Sequence, residues 1–125
     1  MSFSNNRWTA LAAALAGLAV VLGAFGAHAL KESLAPDRLD IFETGVKYQF
    51  YHALALLLAA QFPELRTTRW SFLTGMALFS GSLYLLACRD LLGIGSWTWL
   101  GPITPLGGTA FIIGWSIWVV KSIKQ

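Results

Sequence analysis

The chain has 125 residues, of which 56% are hydrophobic and only 12% are Asp, Glu, Lys or Arg. An average soluble domain carries about twice that share of charged residues, so the composition excludes an ordinary soluble protein. The net charge of +3 is spread over all the polar connections, which argues against a nucleic-acid-binding surface. The single cysteine, Cys88, excludes an internal disulfide.

Uncharged runs indicate how often the chain crosses a membrane. A helix spans the hydrocarbon core with about 20 apolar residues. Four runs approach this length without Asp, Glu, Lys or Arg: 8–30, 48–63, 70–88 and 91–120. We predict an all-α integral membrane protein, a compact four-helix transmembrane bundle in one domain over residues 1–125. Its expected spans are about 8–30, 46–63, 70–88 and 104–120.

The first run also has features of a secretory signal. Arg7 precedes it, and Ala27-His28-Ala29 has the small-x-small pattern of a cleavage site. The apolar region of a signal has about 7–15 residues, whereas this run continues for 23. Its length therefore favours a span that stays in the membrane.

The helix of the second span is expected to begin outside the membrane. Pro36 fits the first turn of a helix, and Asp37 suits the positive end of the helix dipole. We expect one helix from about Pro36, whose first turns form an amphipathic extension at the membrane surface before the span.

Glycine and proline divide the last run. Thr104 followed by Pro105 is typical of an N-cap and a first helical residue, which starts the fourth span at this point. Residues 91–103 then form an outer connection, which Trp97 and Trp99 hold at the interface.

An even number of spans places both termini on the same side of the membrane. Under this topology five Lys and Arg residues lie on the side of the termini and four on the other side, where most acidic residues also lie. This weak bias, together with tryptophans near the ends of the spans, predicts cytoplasmic N- and C-termini.

Small residues four apart predict close helix contacts within the bundle. Lipid tails are as apolar as leucine, so membrane helices associate where small residues let backbones approach. Three spans share the pattern, which favours packing within one chain over a homo-oligomer contact, and a bundle this small leaves no pore in a monomer. The candidate packing glycines are Gly17, Gly23, Gly75, Gly81 and Gly114.

Polar side chains are expected to gather in the outer half of the bundle. Such groups are costly in a membrane and form a default site hypothesis. His28 and His52 are expected at similar depth, as hydrogen-bonding glue between helices or as a pair of haem ligands. Residues 104–108 could bind an anion at a helix start, although a plain capped start is favoured. The candidate cluster is His28, Glu43, Tyr48, Gln49, His52, Ser82, Tyr84 and Thr104.

Four segments together resemble a family of small bacterial inner-membrane proteins, the domain of unknown function 423. They are GAFGAHAL at 23–30, ETGVKYQFYHALAL at 43–56, FSGSLY at 79–84 and TPLGG at 104–108. The resemblance covers nearly the whole chain. It implies a four-span protein of the bacterial inner membrane without an assigned reaction, with eukaryotic relatives among small transmembrane proteins.

The sequence therefore predicts a membrane protein that is not an enzyme. No metal site, no phosphate loop and no nucleophile elbow is recognisable, and no cofactor is expected. The leading hypothesis is a role in envelope integrity or membrane assembly, with the lipid bilayer and either a second copy or another membrane protein as partners. The alternatives are a unit that binds or transports a small molecule or lipid headgroup through the outer cluster, and a redox protein linked to haem or quinone.

Overall fold

Four long helices joined by short turns make up the fold. The computed structural model describes residues 6–125, and every regular element in this range is helical. The elements are α1 (Asn6–His28), a 3-10 turn (Leu30–Glu32), α2 (Pro36–Ala59), a second 3-10 turn (Pro63–Leu65), α3 (Arg66–Gly75), a π-helical turn (Met76–Ser80), α4 (Gly81–Ala87), the short α5 (Arg89–Leu92) and α6 (Leu100–Ile123).

α2 is one continuous helix that begins at Pro36, as predicted. It ends at Ala59, however, rather than near residue 63. The reason is Pro63, which disfavours the helical conformation at the preceding residue, and Phe62 is accordingly extended, with φ −117° and ψ 108°. Pro63 then begins the next helical segment.

The third long helix is composite. Residues Pro63–Ala87 are helical without a break, but the hydrogen-bonding pattern changes along them from 3-10 to α, π and α again. A π-helical turn inserts extra backbone into a helix and is frequent at functional sites. In this composite helix the π turn lies where α2 and α6 both pack against it.

The start of α6 corrects the prediction for Thr104 and Pro105. The helix begins at Leu100, so that Pro102 lies in its first turn and Pro105 lies inside it. A proline this close to the helix start removes only an early hydrogen bond, which makes the position tolerable. Thr104 is therefore no N-cap, and its hydroxyl is free to contact another helix.

Long helices that follow one another in the chain pack side by side and run antiparallel. α1 packs chiefly on α2, α2 also packs on the composite helix, and the composite helix packs on α6. One apolar cluster contains Leu56, Phe72 and Phe111 near the middle of the bundle, and a second contains Leu30 and Phe42 near the end of α1.

The outside of the bundle is apolar. Three helices are long and apolar enough to cross a membrane: Arg7–Leu30, Pro63–Ala87 and Leu100–Ile123. Their outward side chains include Val20, which is 61% exposed, and Ile112, which is 67% exposed. α2 has the same length as α6, but it carries five charged residues in its first half.

Candidate functional site

His52 lies at the centre of the polar interior. Its side chain is 5% exposed, and both ring nitrogens have partners. Nδ1 lies 2.8 Å from the backbone oxygen of Tyr48, and the indole Nε1–H of Trp115 donates to Nε2 at 3.0 Å. An indole only donates, so Nε2 must accept and Nδ1 must carry the proton. The two bonds thus assign a neutral imidazole whose tautomer is fixed.

Aromatic rings surround this imidazole. Phe111 stacks on it with ring centroids 3.6 Å apart and planes 11° apart, and Phe72 meets it edge-on at 5.4 Å. The imidazole is therefore enclosed by side chains of α2, α3 and α6. This enclosure is typical of a histidine that holds helices together.

Gln49 and Tyr84 form a second polar contact. The Tyr84 hydroxyl donates to Gln49 Oε1 at 2.6 Å, and Gln49 Nε2 donates to the backbone oxygen of Leu15 at 2.8 Å. These two hydrogen bonds link α1, α2 and α4 through the Gln49 side chain. Both polar groups of the Gln49 amide are used inside the protein.

Ser82 and Thr104 form a third contact, between α4 and α6. Their hydroxyl oxygens lie 2.6 Å apart, and Ser82 Oγ also donates to the backbone oxygen of Phe79 at 3.0 Å. Because Ser82 gives its only hydroxyl proton to Phe79, Thr104 is the donor in the bond between the two hydroxyls. Each hydroxyl proton is given to another oxygen of the protein, and the contacts of the described residues bring no base to either hydroxyl.

Two further polar residues were not in the predicted cluster. Ser80 lies in the π-helical turn and donates to the backbone oxygen of Gly45 at 2.7 Å. Thr68 is fully buried and donates to the backbone oxygen of Gly114 at 3.2 Å. Both are small hydroxyl residues in an apolar helix, a pattern that marks a hydrogen-bonding residue without identifying its partner.

Arg69 is a charged residue that sequence reasoning treated only as a topology signal. It is 5% exposed, although it lies in the first turn of α3, close to the end of the bundle. Its guanidinium donates to the backbone oxygen of Phe62 at 2.8 Å and lies 5.5 Å from the ring centre of Trp8. Nε is buried without a hydrogen-bond partner. Arg69 therefore caps the end of α2, where the last carbonyl oxygens of the helix accept hydrogen bonds and carry partial negative charge.

The other predicted site residues lie elsewhere. His28 is exposed at the last position of α1, Glu43 is exposed on α2, and the Tyr48 ring is 41% exposed beside Phe79. α1 and α2 run antiparallel, with Gly23 level with Val46, since a Cβ on Gly23 would lie 3.4 Å from the Val46 side chain. Gly23 lies five residues before His28 and Val46 lies six residues before His52. At 1.5 Å per residue these steps separate the two histidines by roughly 16 Å along the helices.

The expectation that His28 and His52 share one depth is therefore wrong. That expectation placed the start of the second span, at about residue 46, at the membrane surface. In the structure α2 pairs with α1 from its first turns onward. For example, the ring of Phe42 packs against Gly26 so closely that a Cβ on Gly26 would lie 2.9 Å from that ring. The cluster without His28 and Glu43 is a set of contacts inside the bundle rather than a surface at its outer end.

The predicted packing glycines divide into two groups. A side chain on Gly75 would collide with the ring of Phe111, and one on Gly114 would collide with the ring of Phe72, while a Cβ on Gly23 would lie 3.4 Å from Val46. Gly17 and Gly81 have no such neighbour, because a Cβ at either position would meet nothing within 4 Å. Within residues 6–125, these two glycines therefore do not lie at a close helix contact.

The residues present do not form a metal site. Over residues 6–125, no three His, Cys, Asp or Glu side chains are grouped in a way that could hold a metal ion. Two histidines that ligate one haem must face the same iron, which the separation of His28 and His52 prevents.

A known protein family matches the segment of the chain that contains the sequence motifs described above. A family model described as a protein of unknown function, DUF423, matches residues 22–108, which run from the last turns of α1 to the first turns of α6. The chain belongs to the DUF423 family. No solved structure matches it significantly.

Relatives of this DUF423 chain are membrane proteins. The UPF0382 membrane protein YwdK of Bacillus subtilis is 43% identical over 114 residues, which cover 86% of this chain and 88% of the relative. The UPF0382 inner membrane protein YgdD of Escherichia coli K12 is 36% identical over 127 aligned residues, which cover 96% and 92%. Together with the three membrane-capable helices, these relatives confirm a multi-pass protein of the bacterial inner membrane.

Proposed function

We propose that this DUF423 protein is a non-enzymatic structural component of the inner membrane, acting in envelope integrity or membrane assembly. The observation that carries the proposal is the use of its polar groups. Gln49, His52 and Tyr84 each bond to another helix of the chain. Polar side chains that are spent on interhelical bonds stabilise a fold and leave little capacity for a substrate.

The proposal includes four spans and two cytoplasmic termini. Three of the four spans are the membrane-capable helices, and α2 supplies the remaining one. The second half of α2, after Lys47, is uncharged and pairs with the middle of α1, which supports a crossing. Lys47 itself can extend its alkyl stem and raise its ammonium group toward the headgroups. The surface extension expected before this span is then the first turns of α2.

The outer polar cluster as a ligand site is the less favoured function. Its members would need unpaired polar atoms that face a common space. The fixed tautomer of His52 and the doubly bonded amide of Gln49 argue against this use.

A complementation experiment tests the structural role. Cells that lack the protein are compared with complemented cells for resistance to detergent and osmotic shock, while the amount of folded protein is measured in the same membranes. Variants His52→Ala and Ser82→Ala should lose resistance only in proportion to their loss of folded protein. A variant that folds to the wild-type level but loses all resistance would contradict the proposal, as would turnover or transport by the purified protein in liposomes.

A further inference from the structure

A groove runs between α1 and α2 on the outside of the bundle. Its volume is about 280 Å³, and its walls are almost entirely apolar. Gly23 and Ala24 of α1 leave the space open because they have little or no side chain, and Val46 of α2 borders it. The lining residues lie within 19–24 of α1 and 46–51 of α2, so the groove offers an apolar surface about one and a half helical turns long.

Lys47 stands at this groove with no counter-ion. The one ion pair found among residues 6–125 joins Arg38 to Asp90, at 3.8 Å. Glu43, one turn before Lys47, is exposed and forms no such pair. A lysine within a membrane-spanning helix is costly unless its ammonium group reaches water or an anion. The groove thus combines apolar walls with one uncompensated positive charge.

The depth of the groove suits the polar part of a lipid. Gly23, level with Val46, lies seven residues before Leu30, the end of the apolar span of α1. That distance is roughly 10 Å along the helix. The stem of Lys47 can cover much of it, which brings the ammonium group close to the phosphates of the leaflet on the Leu30 side.

We propose that the groove binds an anionic phospholipid, such as phosphatidylglycerol. One acyl chain lies against Gly23 and Ala24, and the phosphate pairs with the ammonium group of Lys47, which the lysine stem raises toward the headgroups. Charge complementarity selects this occupant, because a neutral acyl surface alone would leave Lys47 unpaired. The lipid site rests on α2 crossing the membrane, which is part of the function proposed above. It is separate from the interior network of His52, so it does not depend on the structural role of that network.

Fluorescence quenching by spin-labelled lipid tests the proposal. Val20, exposed at the rim of the groove, is changed to cysteine in a Cys88→Ser background and labelled with bimane. The protein is reconstituted in vesicles with equal amounts of phosphatidylcholine and phosphatidylglycerol, only one of which carries a nitroxide on its acyl chain. Phosphatidylglycerol should quench with an apparent affinity about fivefold higher than phosphatidylcholine.

Three variants make the test specific to the groove. Lys47→Gln should reduce the preference to about one, whereas Lys31→Gln, an exposed lysine outside the groove, should leave it unchanged. Gly23→Leu, checked for wild-type helicity, should reduce quenching by both lipids because it fills the groove. Equal quenching in the wild type, or a preference that survives Lys47→Gln, would overturn the proposal. Disulfide formation between two copies at position 20 that excludes both lipids would also overturn it, in favour of a second copy as occupant.

Discussion

At the scale of single residues, the interior of this protein depends on polar groups that are paired one by one. His52 shows the principle, because it donates from Nδ1 to Tyr48 and accepts at Nε2 from Trp115. A membrane interior supplies no water to replace a lost partner. Each such bond is nevertheless worth only a modest amount, since the unfolded chain in a membrane also finds partners.

Removing the donor to His52 should destabilise the bundle. Trp115→Phe keeps an aromatic ring but leaves Nε2 without a donor, and we expect a loss of roughly 0.6–2 kcal/mol in the free energy of unfolding. Adding His52→Phe should recover part of this loss, because neither partner is then polar. Denaturation in mixed micelles, followed by circular dichroism, measures both.

The exposed Trp99 provides the control for this pair. Trp99→Phe changes a residue that is 55% exposed and should leave stability unchanged. Equal losses in Trp99→Phe and Trp115→Phe would show that the bond to His52 contributes nothing.

At the scale of helices, close backbone contacts determine which elements can meet. Gly107 of α6 lies against the backbone of Phe79, inside the π-helical turn, so closely that a Cβ would overlap the Phe79 nitrogen. The π turn and the glycine therefore fit each other. Gly81, the first residue beyond the turn, has open space around it.

Gly107→Ala should weaken the contact between α6 and the composite helix. Alanine favours a helix over glycine by up to about 1 kcal/mol, but the overlap with backbone should turn this into a net loss of about 1–3 kcal/mol. The matched variant Gly81→Ala should be neutral or stabilising, because its Cβ meets nothing. Thermal unfolding in the same detergent compares the two, and a stabilised Gly107→Ala would show that the close approach to Phe79 is not required for stability.

The end of α2 depends on a buried charge. Arg69→Met keeps the alkyl stem but removes the donors to Phe62 and Ala59, so we expect a loss of about 1–3 kcal/mol. Arg66→Met, at an exposed position on the same helix, is the control and should change stability little. Urea denaturation of the two variants gives the comparison, and similar values for both would exclude a role for Arg69 in closing α2.

At the scale of the whole molecule, the surface is apolar and the polar groups lie between helices or at the ends. This distribution is the reverse of a soluble bundle and fits a protein surrounded by lipid. α2 is the exception, since its first half is charged and its second half is apolar. The number of spans therefore depends on how far α2 enters the membrane.

Cysteine labelling measures the topology directly. With Cys88 replaced by serine, Asp40→Cys should react with a membrane-impermeant maleimide from outside the inner membrane, and Thr67→Cys only after the cells are opened. The two positions flank the second half of α2 and are exposed. Labelling of both from one compartment would exclude four spans.

The sequence by itself determined that the protein lies in a membrane, that it is helical, and which family it belongs to. These properties follow from uncharged runs and from motifs that are local in the chain. It also placed the start of α2 at Pro36, where local backbone preference is decisive. Only the tertiary structure decided which polar residues meet. Tyr84 finds Gln49 and Trp115 finds His52 across distant parts of the chain, while His28 lies apart from them, because depth and partner depend on how two helices pair and not on their separate periodicities.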